Sequence, residues 1–362
     1  MGNLRPNRGR IPQLDGVRGI AVLLVMLAHM AGGVSPHGRR FIDGLSWDGG
    51  GGGLIGVQIF FVLSGYLITS ILVSEARSTG SISLRGFYAR RARRLVPALV
   101  VVCAVYAVYV AVAVDDVRGG LGDIVYALSY TANLAPIIRL RDTGWLGHTW
   151  SLAVEEQFYI VWPMVVLLTN RRPRRALATV SAAVILVTVV LRHSCGLFLG
   201  AHADYVRYNL LRWDALMLGC LLAVRPLHPP RVAGWAAGAT ILGLVIWLPN
   251  PIPAWMYTTS TLAAGVFLAR SADSRWLTHP VLRHFGLVSY GLYLWHVLVL
   301  RLGLPGLVSL VLSVGFAEAS HWLVERRFLT HGSRDADVRA IAAERRPSDR
   351  LDERHSTALP FD

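Results

Sequence analysis

Arg18 and His29 stand in the first long apolar stretch of the chain, eleven residues apart. At about 100° per residue they share one helical face to within roughly 20°, separated by ~16 Å of rise. An ionisable residue in hydrocarbon is costly and marks a candidate functional site. A guanidinium holds anions, and an imidazole titrates near neutral pH and moves protons. The pair suggests a line of chemistry running partway through a membrane.

Three further groups have the same character. His148, Ser151, Glu155 and Tyr159 fall at about 0°, 300°, 340° and 20° on a helical wheel. This polar stripe serves either interhelical hydrogen bonds or a wet cavity. Ser289, Tyr293 and His296 lie within about 60° of arc; His296 reads either as a satisfied structural histidine or as a site residue. Asp214 and Arg212 are only two residues apart, a poor spacing for pairing on one helix. Each therefore needs a partner on another helix. The cluster Arg90-Arg91-Ala92-Arg93-Arg94 has two readings: a topology anchor that snorkels to lipid phosphates, or a clamp for a phosphorylated donor.

The elements that must position these residues are membrane helices. Of 362 residues, 54% are hydrophobic and only 16% charged, against about 25% charged in soluble domains. The composition indicates an all-α polytopic membrane protein. The chain contains no lysine, which excludes a P-loop, a Schiff base or a lysine base. Any anionic ligand must be held by arginine, helix N-termini or backbone amides. The net charge of +14 lies in short loops between apolar runs, so nucleic acid is not an expected partner. Cys103, Cys195 and Cys220 lack metal or disulfide spacing and read as packing residues. No metal site is expected. The glycine run 49–53 follows no strand and precedes no lysine, so it reads as a flexible loop.

Ten candidate spans have roughly the length needed to cross a bilayer. They lie near 14–34, 54–74, 95–114, 148–169, 175–192, 206–225, 232–248, 255–270, 284–302 and 304–323. The eighth is short, and the sixth carries several polar residues. The weakly apolar segment 121–138 reads as a surface or re-entrant helix. Arginine accumulates at the N-terminus and on alternate loops, including 77–94, 171–175, 225–231 and 270–283. The positive-inside pattern then puts both termini in the cytoplasm. No cleavable signal peptide is expected, because the first apolar run lacks a convincing cleavage site. Residues 1–330 read as one transmembrane domain. Residues 331–362 read as a polar, disordered cytoplasmic tail. No internal repeat stands out.

Five separated motifs, in order, resemble the integral membrane acyltransferase 3 family. They are Leu14-Asp15-Gly16-Val17-Arg18-Gly19 with His29; Phe60-Phe61-Val62-Leu63-Ser64-Gly65-Tyr66; Phe87-Tyr88-Ala89-Arg90-Arg91-Ala92-Arg93-Arg94-Leu95-Val96-Pro97; His148 through Tyr159; and Ser289 through His296. The resemblance covers nearly everything from Gln13 to about Glu325. Some family members carry a fused C-terminal esterase-like domain, where this sequence runs into the polar tail.

The resemblance implies a multi-pass protein of the bacterial plasma membrane. Its implied reaction moves an acyl group, with acetyl expected, from a coenzyme A thioester to a hydroxyl of a sugar, glycan or glycosylated metabolite. Acyl-coenzyme A would be a co-substrate rather than a resident cofactor. A hydroxyl attacking a thioester must lose its proton in the transition state, and His29 is the expected base. Arg18 would hold donor phosphate or stabilise developing negative charge. Glu155 would orient a histidine or the acceptor. Arg90, Arg91 and Arg94 would bind the coenzyme A phosphates at the cytoplasmic mouth. Ser64, Tyr66, His148, Trp150, Ser151, Asp214, Tyr293 and His296 are the expected substrate-binding residues. The competing reading is a proton-coupled transporter using the same buried residues.

Overall fold

The protein is described by a computed structural model over residues 11–30, 53–139, 144–169, 173–246 and 252–328. Every regular element among them is helical. The helices are α1 (Pro12–Met30), α2 (Gly53–Thr79), α3 (Leu84–Ala113), α4 (Val117–Leu128), α5 (Ala135–Arg139), α6 (Trp150–Leu168), α7 (Pro173–Leu199), α8 (Ala203–Asn209), α9 (Trp213–Val224), α10 (Arg231–Ile246), α11 (Ala254–Ser271), α12 (Pro280–Leu287), α13 (Ser289–Leu300) and α14 (Gly306–Ser320). A 3-10 turn, Gly144–Thr149, leads into α6. The N-terminal ten residues, the loop 31–52 and the expected tail lie outside the described residues.

Five stretches are long and apolar enough to cross a membrane: Gly53–Thr79, Leu84–Ala113, Gly144–Leu168, Arg174–Leu199 and Gly306–Phe328. Two shorter apolar helices, α10 and α13, join them. The ten expected spans are not ten uninterrupted helices. The sixth breaks between α8 and α9, and the ninth breaks at Val288 between α12 and α13. The first break carries Arg212, whose charge must be placed among side chains rather than in lipid. The outer surface is apolar: Leu168, Leu197 and Phe198 are 83%, 83% and 82% exposed, a pattern suited to hydrocarbon rather than water.

Local sequence explains several boundaries. The Ser83 hydroxyl accepts from the Gly86 N–H at 3.2 Å and starts α3. The Asp116 carboxylate accepts from the Gly119 N–H at 2.9 Å and starts α4. Such caps satisfy donors that a helix start leaves open. After α4 the chain reverses through Tyr130, at φ 53°. The reversed segment docks on α6. Gln157 donates to the Tyr130 carbonyl at 3.0 Å and exchanges hydrogen bonds with the Asn133 amide. The segment expected as a surface or re-entrant helix is thus a helix-turn-helix held by one glutamine.

The core forms around α2, which packs on α1, α6, α9 and α11. Two crossings are close enough that only glycine fits. A Cβ on Gly65 would strike the Leu216 carbonyl, and one on Gly219 would strike the Val62 carbonyl. The α2–α9 crossing therefore brings backbone onto backbone, as small residues allow in membrane bundles. At the α1–α12 crossing, Gly19 meets the Leu282 carbonyl and Gly286 meets the Asp15 carbonyl. Polar ties reinforce the packing. Gln58 donates to Thr261 at 2.8 Å, and the Trp162 indole donates to Thr69 at 2.8 Å. All three cysteines are buried and free, as packing residues should be.

Candidate active site

Side chains of α1, α2, α3, α6 and α13 converge on a cavity of about 320 Å³. Arg18 enters from α1, Ser64 from α2, and Arg90, Arg91 and Arg94 from α3. Ser151, Glu155, Glu156 and Tyr159 enter from α6, and Ser289, Tyr290 and Tyr293 from α13. Phe60, Phe61, Ile68 and Phe87 supply apolar wall, and Tyr130 adds a phenol from the docked turn. Four arginines face two glutamates, so the cavity suits an anion.

The hydrogen bonds fix the wall in place. Ser64 donates to Glu155 Oε1 at 2.8 Å, and Tyr159 donates to its Oε2 at 3.3 Å. The Arg91 guanidinium stacks on the Tyr159 ring, 3.9 Å from its centroid, a cation–π geometry that holds the charge over the cavity. Arg90 reaches Glu75 at 3.4 Å. Arg18 reaches Asp15 at 3.4 Å, one turn back on α1. The 3.6-residue period thus put Ser151, Glu155 and Tyr159 on one working face, as their spacing predicts. Glu155 spends its carboxylate on Ser64 and Tyr159, and no hydrogen bond joins it to a histidine among the contacts that define the site.

His29, His148 and His296 form a second cluster, outside the cavity wall. Ring centroids lie 4.8 Å apart for His29–His296 and 5.4 Å for His148–His296. His29 Nδ1 lies 2.7 Å from the Val25 carbonyl, and His296 Nδ1 lies 2.7 Å from the Tyr293 carbonyl. A carbonyl only accepts, so each Nδ1 carries its proton and each Nε2 is the basic nitrogen. Gly53 makes room for the first ring, because a Cβ there would sit 3.1 Å from His29 Cε1.

Tyr293 joins the two regions. It lines the cavity, and its ring centroid lies 5.6 Å from that of His296 and 5.5 Å from that of His148. Its hydroxyl donates to the His148 carbonyl at 2.6 Å and meets the Ser151 hydroxyl at 2.6 Å. Arg18 and His29 do share a helix face, but only Arg18 reaches the cavity. The His29 ring packs on His296, which in turn packs on Tyr293 of the wall.

Besides His148 and His296, three more expected substrate residues stay away from the wall. Asp214 is buried in a two-pronged ion pair with Arg192 of α7, at 2.6 and 3.0 Å, and accepts from Thr261 at 3.1 Å. It finds its partner on another helix, as its poor spacing from Arg212 requires. Trp150 is buried against Phe61 and Tyr208. Tyr66 sits on α2 where Gly219 crosses it. Conversely, Glu156, Tyr130 and Tyr290 line the cavity without having been singled out. Arg192 was legible as an arginine inside an apolar run; Tyr130 carries no sequence signal, because a docked turn delivers it.

The motifs behind the sequence resemblance are the same residues that build this geometry. The arginine motif, Arg18 and the Glu155 stripe line the cavity, and His29, His148 and His296 of the first, fourth and last motifs form the histidine cluster. A family model described as an acyltransferase domain matches residues 11–317. A provisionally named O-acetyltransferase of Staphylococcus aureus (strain COL) is 30% identical over 365 residues, covering 89% of this chain and 58% of that protein. A provisionally named peptidoglycan O-acetyltransferase of Bacillus subtilis (strain 168) is 30% identical over 379 residues, covering 91% and 57%. The peptidoglycan O-acetyltransferase OatA of Listeria monocytogenes is 31% identical over 335 residues, covering 83% and 51%. The chain thus spans little more than half the length of these relatives. No solved structure gives a significant match. With its motifs assembled around one cavity and a family match across most of its length, the chain belongs to the acyltransferase 3 family.

Proposed function

We propose that this protein is a membrane O-acyltransferase, moving an acetyl-sized acyl group from a coenzyme A thioester to a hydroxyl of a sugar or glycan. One observation carries the reading: four arginines converge on a cavity whose Tyr293 wall abuts His148 and His296, with His29 packed on His296 behind them. Arginine forks suit phosphates, so Arg90, Arg91 and Arg94 would hold the donor's phosphates. Ligand pockets range over about 300–1,000 Å³, and this cavity is at the small end. It suits the thioester arm with a short acyl group, leaving the nucleotide at the arginine mouth.

In the reaction, the acceptor hydroxyl oxygen attacks the thioester carbonyl carbon. His29 Nε2 takes the hydroxyl proton as the bond forms, which requires the acceptor to approach on the histidine side and the thioester carbon to reach past Tyr293 toward that cluster. The carbon–sulfur bond breaks, and the proton passes to the departing thiolate. Arg18 lines the cavity where negative charge develops, and Glu155 anchors Ser64 and Tyr159 around the donor. The arginine loops favour both termini in the cytoplasm, which opens the arginine mouth to the compartment that supplies coenzyme A thioesters. The relatives' names favour a cell-envelope glycan as acceptor.

The test is transfer of labelled acetyl from acetyl-coenzyme A to a glycan by the purified protein in detergent. His29→Ala should lower the rate by about 10²–10⁴, the usual worth of a general base, with the unfolding midpoint retained. A rate within a few-fold of wild type would remove His29 as the base. Solute flux without acetyl transfer would overturn the acyltransferase reading.

A further inference from the structure

Arg212 is wholly buried, and its Nε, Nη1 and Nη2 all lack a hydrogen-bond partner. It sits in the break between α8 and α9, inside a box of four aromatic rings. Its guanidinium carbon lies 4.8 Å from the Tyr257 centroid, 5.5 Å from Trp150, 5.9 Å from Phe61 and 6.0 Å from Tyr208. Asp214 attracts it through space but gives its oxygens to Arg192 and Thr261, so it supplies Arg212 no hydrogen bond. Ring faces offset part of the cost of burying a cation. They cannot satisfy five in-plane N–H donors, and an unpaired buried charge is expensive.

The box adjoins the proposed reaction centre. The stretch His148–Ser151 faces three ways: His148 meets the histidine cluster, Ser151 lines the donor cavity, and Trp150 walls the arginine box. Phe61 likewise belongs to both cavity wall and box. Tyr208 is the partly buried wall, carried on the short helix α8.

We propose that Arg212 is the anchor for a carboxylate on the acceptor, so that the acceptor is an acidic sugar. The planar guanidinium fork matches a carboxylate with two parallel hydrogen bonds. The surrounding rings match the C–H faces of a pyranose. Entry requires Tyr208 to swing outward. The inference rests on the acyltransferase reading only for the word acceptor; the anion site itself is independent of it.

The experiment is thermal unfolding of the purified full chain in detergent, without donor, with D-glucuronate, D-glucose or inorganic phosphate. Glucuronate should raise the midpoint in a concentration-dependent way, and glucose should not. R212M should abolish the shift, and its own ligand-free midpoint should equal or exceed that of wild type. Replacing an uncompensated buried charge by an apolar chain of similar size is commonly neutral or stabilising. R212Q, which keeps hydrogen-bond donors without charge, should weaken glucuronate binding about 10- to 100-fold, the worth of a charged hydrogen bond. A glucuronate shift that survives in R212M would overturn the proposal. So would no shift at all, a phosphate shift that R212M abolishes as fully as the glucuronate shift, or loss of folding in both variants, which would make Arg212 structural; a phosphate shift that R212M retains belongs to the arginine mouth. Acetyl-coenzyme A should still stabilise R212M as it does wild type; failure of that control in both proteins would count against the acyltransferase reading and leave the anion site standing.

Discussion

The Tyr293 hydroxyl donates to the His148 carbonyl oxygen across 2.6 Å. Because that carbonyl can only accept, Tyr293 has spent its proton, and the Ser151 hydroxyl 2.6 Å away must donate to it. The order Ser151 to Tyr293 to His148 ends on an atom that cannot pass a proton onward. It is a latch between the donor cavity and the histidines. Tyr293→Phe should destabilise the protein by about 1–3 kcal/mol, the usual cost of stranding a buried polar partner. Ser151→Ala should cost less, and the double variant less than the sum. Denaturant unfolding of the four proteins checks the cycle, and additive losses would show that the hydroxyls do not form one unit.

The arginine mouth predicts a split between kinetic constants. Arg91→Gln and Arg94→Gln should each raise the donor KM about tenfold and leave kcat within about threefold, as expected for contacts made equally in ground and transition states. Arg90→Gln should do less, because Arg90 already shares its charge with Glu75 at 3.4 Å. Glu75→Gln should lower the donor KM. Initial rates against acetyl-coenzyme A concentration measure all four.

The glycine crossings predict a sharp contrast among alanine substitutions. Gly65→Ala and Gly219→Ala each push a methyl into a carbonyl of the neighbouring helix, and should cost about 1–3 kcal/mol or more as overpacking does. Gly238→Ala and Gly243→Ala meet nothing within 4 Å. Both lie inside α10 and should be neutral or stabilising by up to about 1 kcal/mol, the helix propensity difference. Unfolding midpoints in one detergent decide it.

The Arg192–Asp214 pair predicts stability without a role in donor binding. Asp214→Asn or Arg192→Met alone should cost about 3–5 kcal/mol, because each strands a buried charge or its partner. Replacing both with apolar residues of matching volume should recover much of the loss. The donor KM should stay within about twofold in any variant that folds, since neither residue lines the cavity.

Much of the site was legible because helical period and residue type are local facts. His148, Ser151, Glu155 and Tyr159 were expected on one helical face; the last three line the cavity, while His148 lies in the 3-10 turn ahead of α6 and packs on His296. Of Ser289, Tyr293 and His296, expected on one arc, the first two line the cavity and His296 sits among the histidines. The arginine cluster admitted two readings from sequence, and Arg90, Arg91 and Arg94 line the same cavity as Arg18. The first-helix and second-helix motifs looked like sites because of Arg18, His29 and Ser64. Their glycines proved equally informative, since Gly16, Gly19 and Gly65 each let a neighbouring backbone approach.

The sequence by itself determined that the chain is helical, apolar-faced and lysine-free, with arginine and histidine on one face of its first helix. Those properties follow from composition and the 3.6-residue repeat. Only the tertiary structure decided which polar residues meet. It put Arg18 into the cavity and His29 against His296, gave Asp214 to Arg192, and left Arg212 among four rings. The physical reason is that pairing across helices depends on crossing points and depth, which close-packed glycines set and no local spacing encodes.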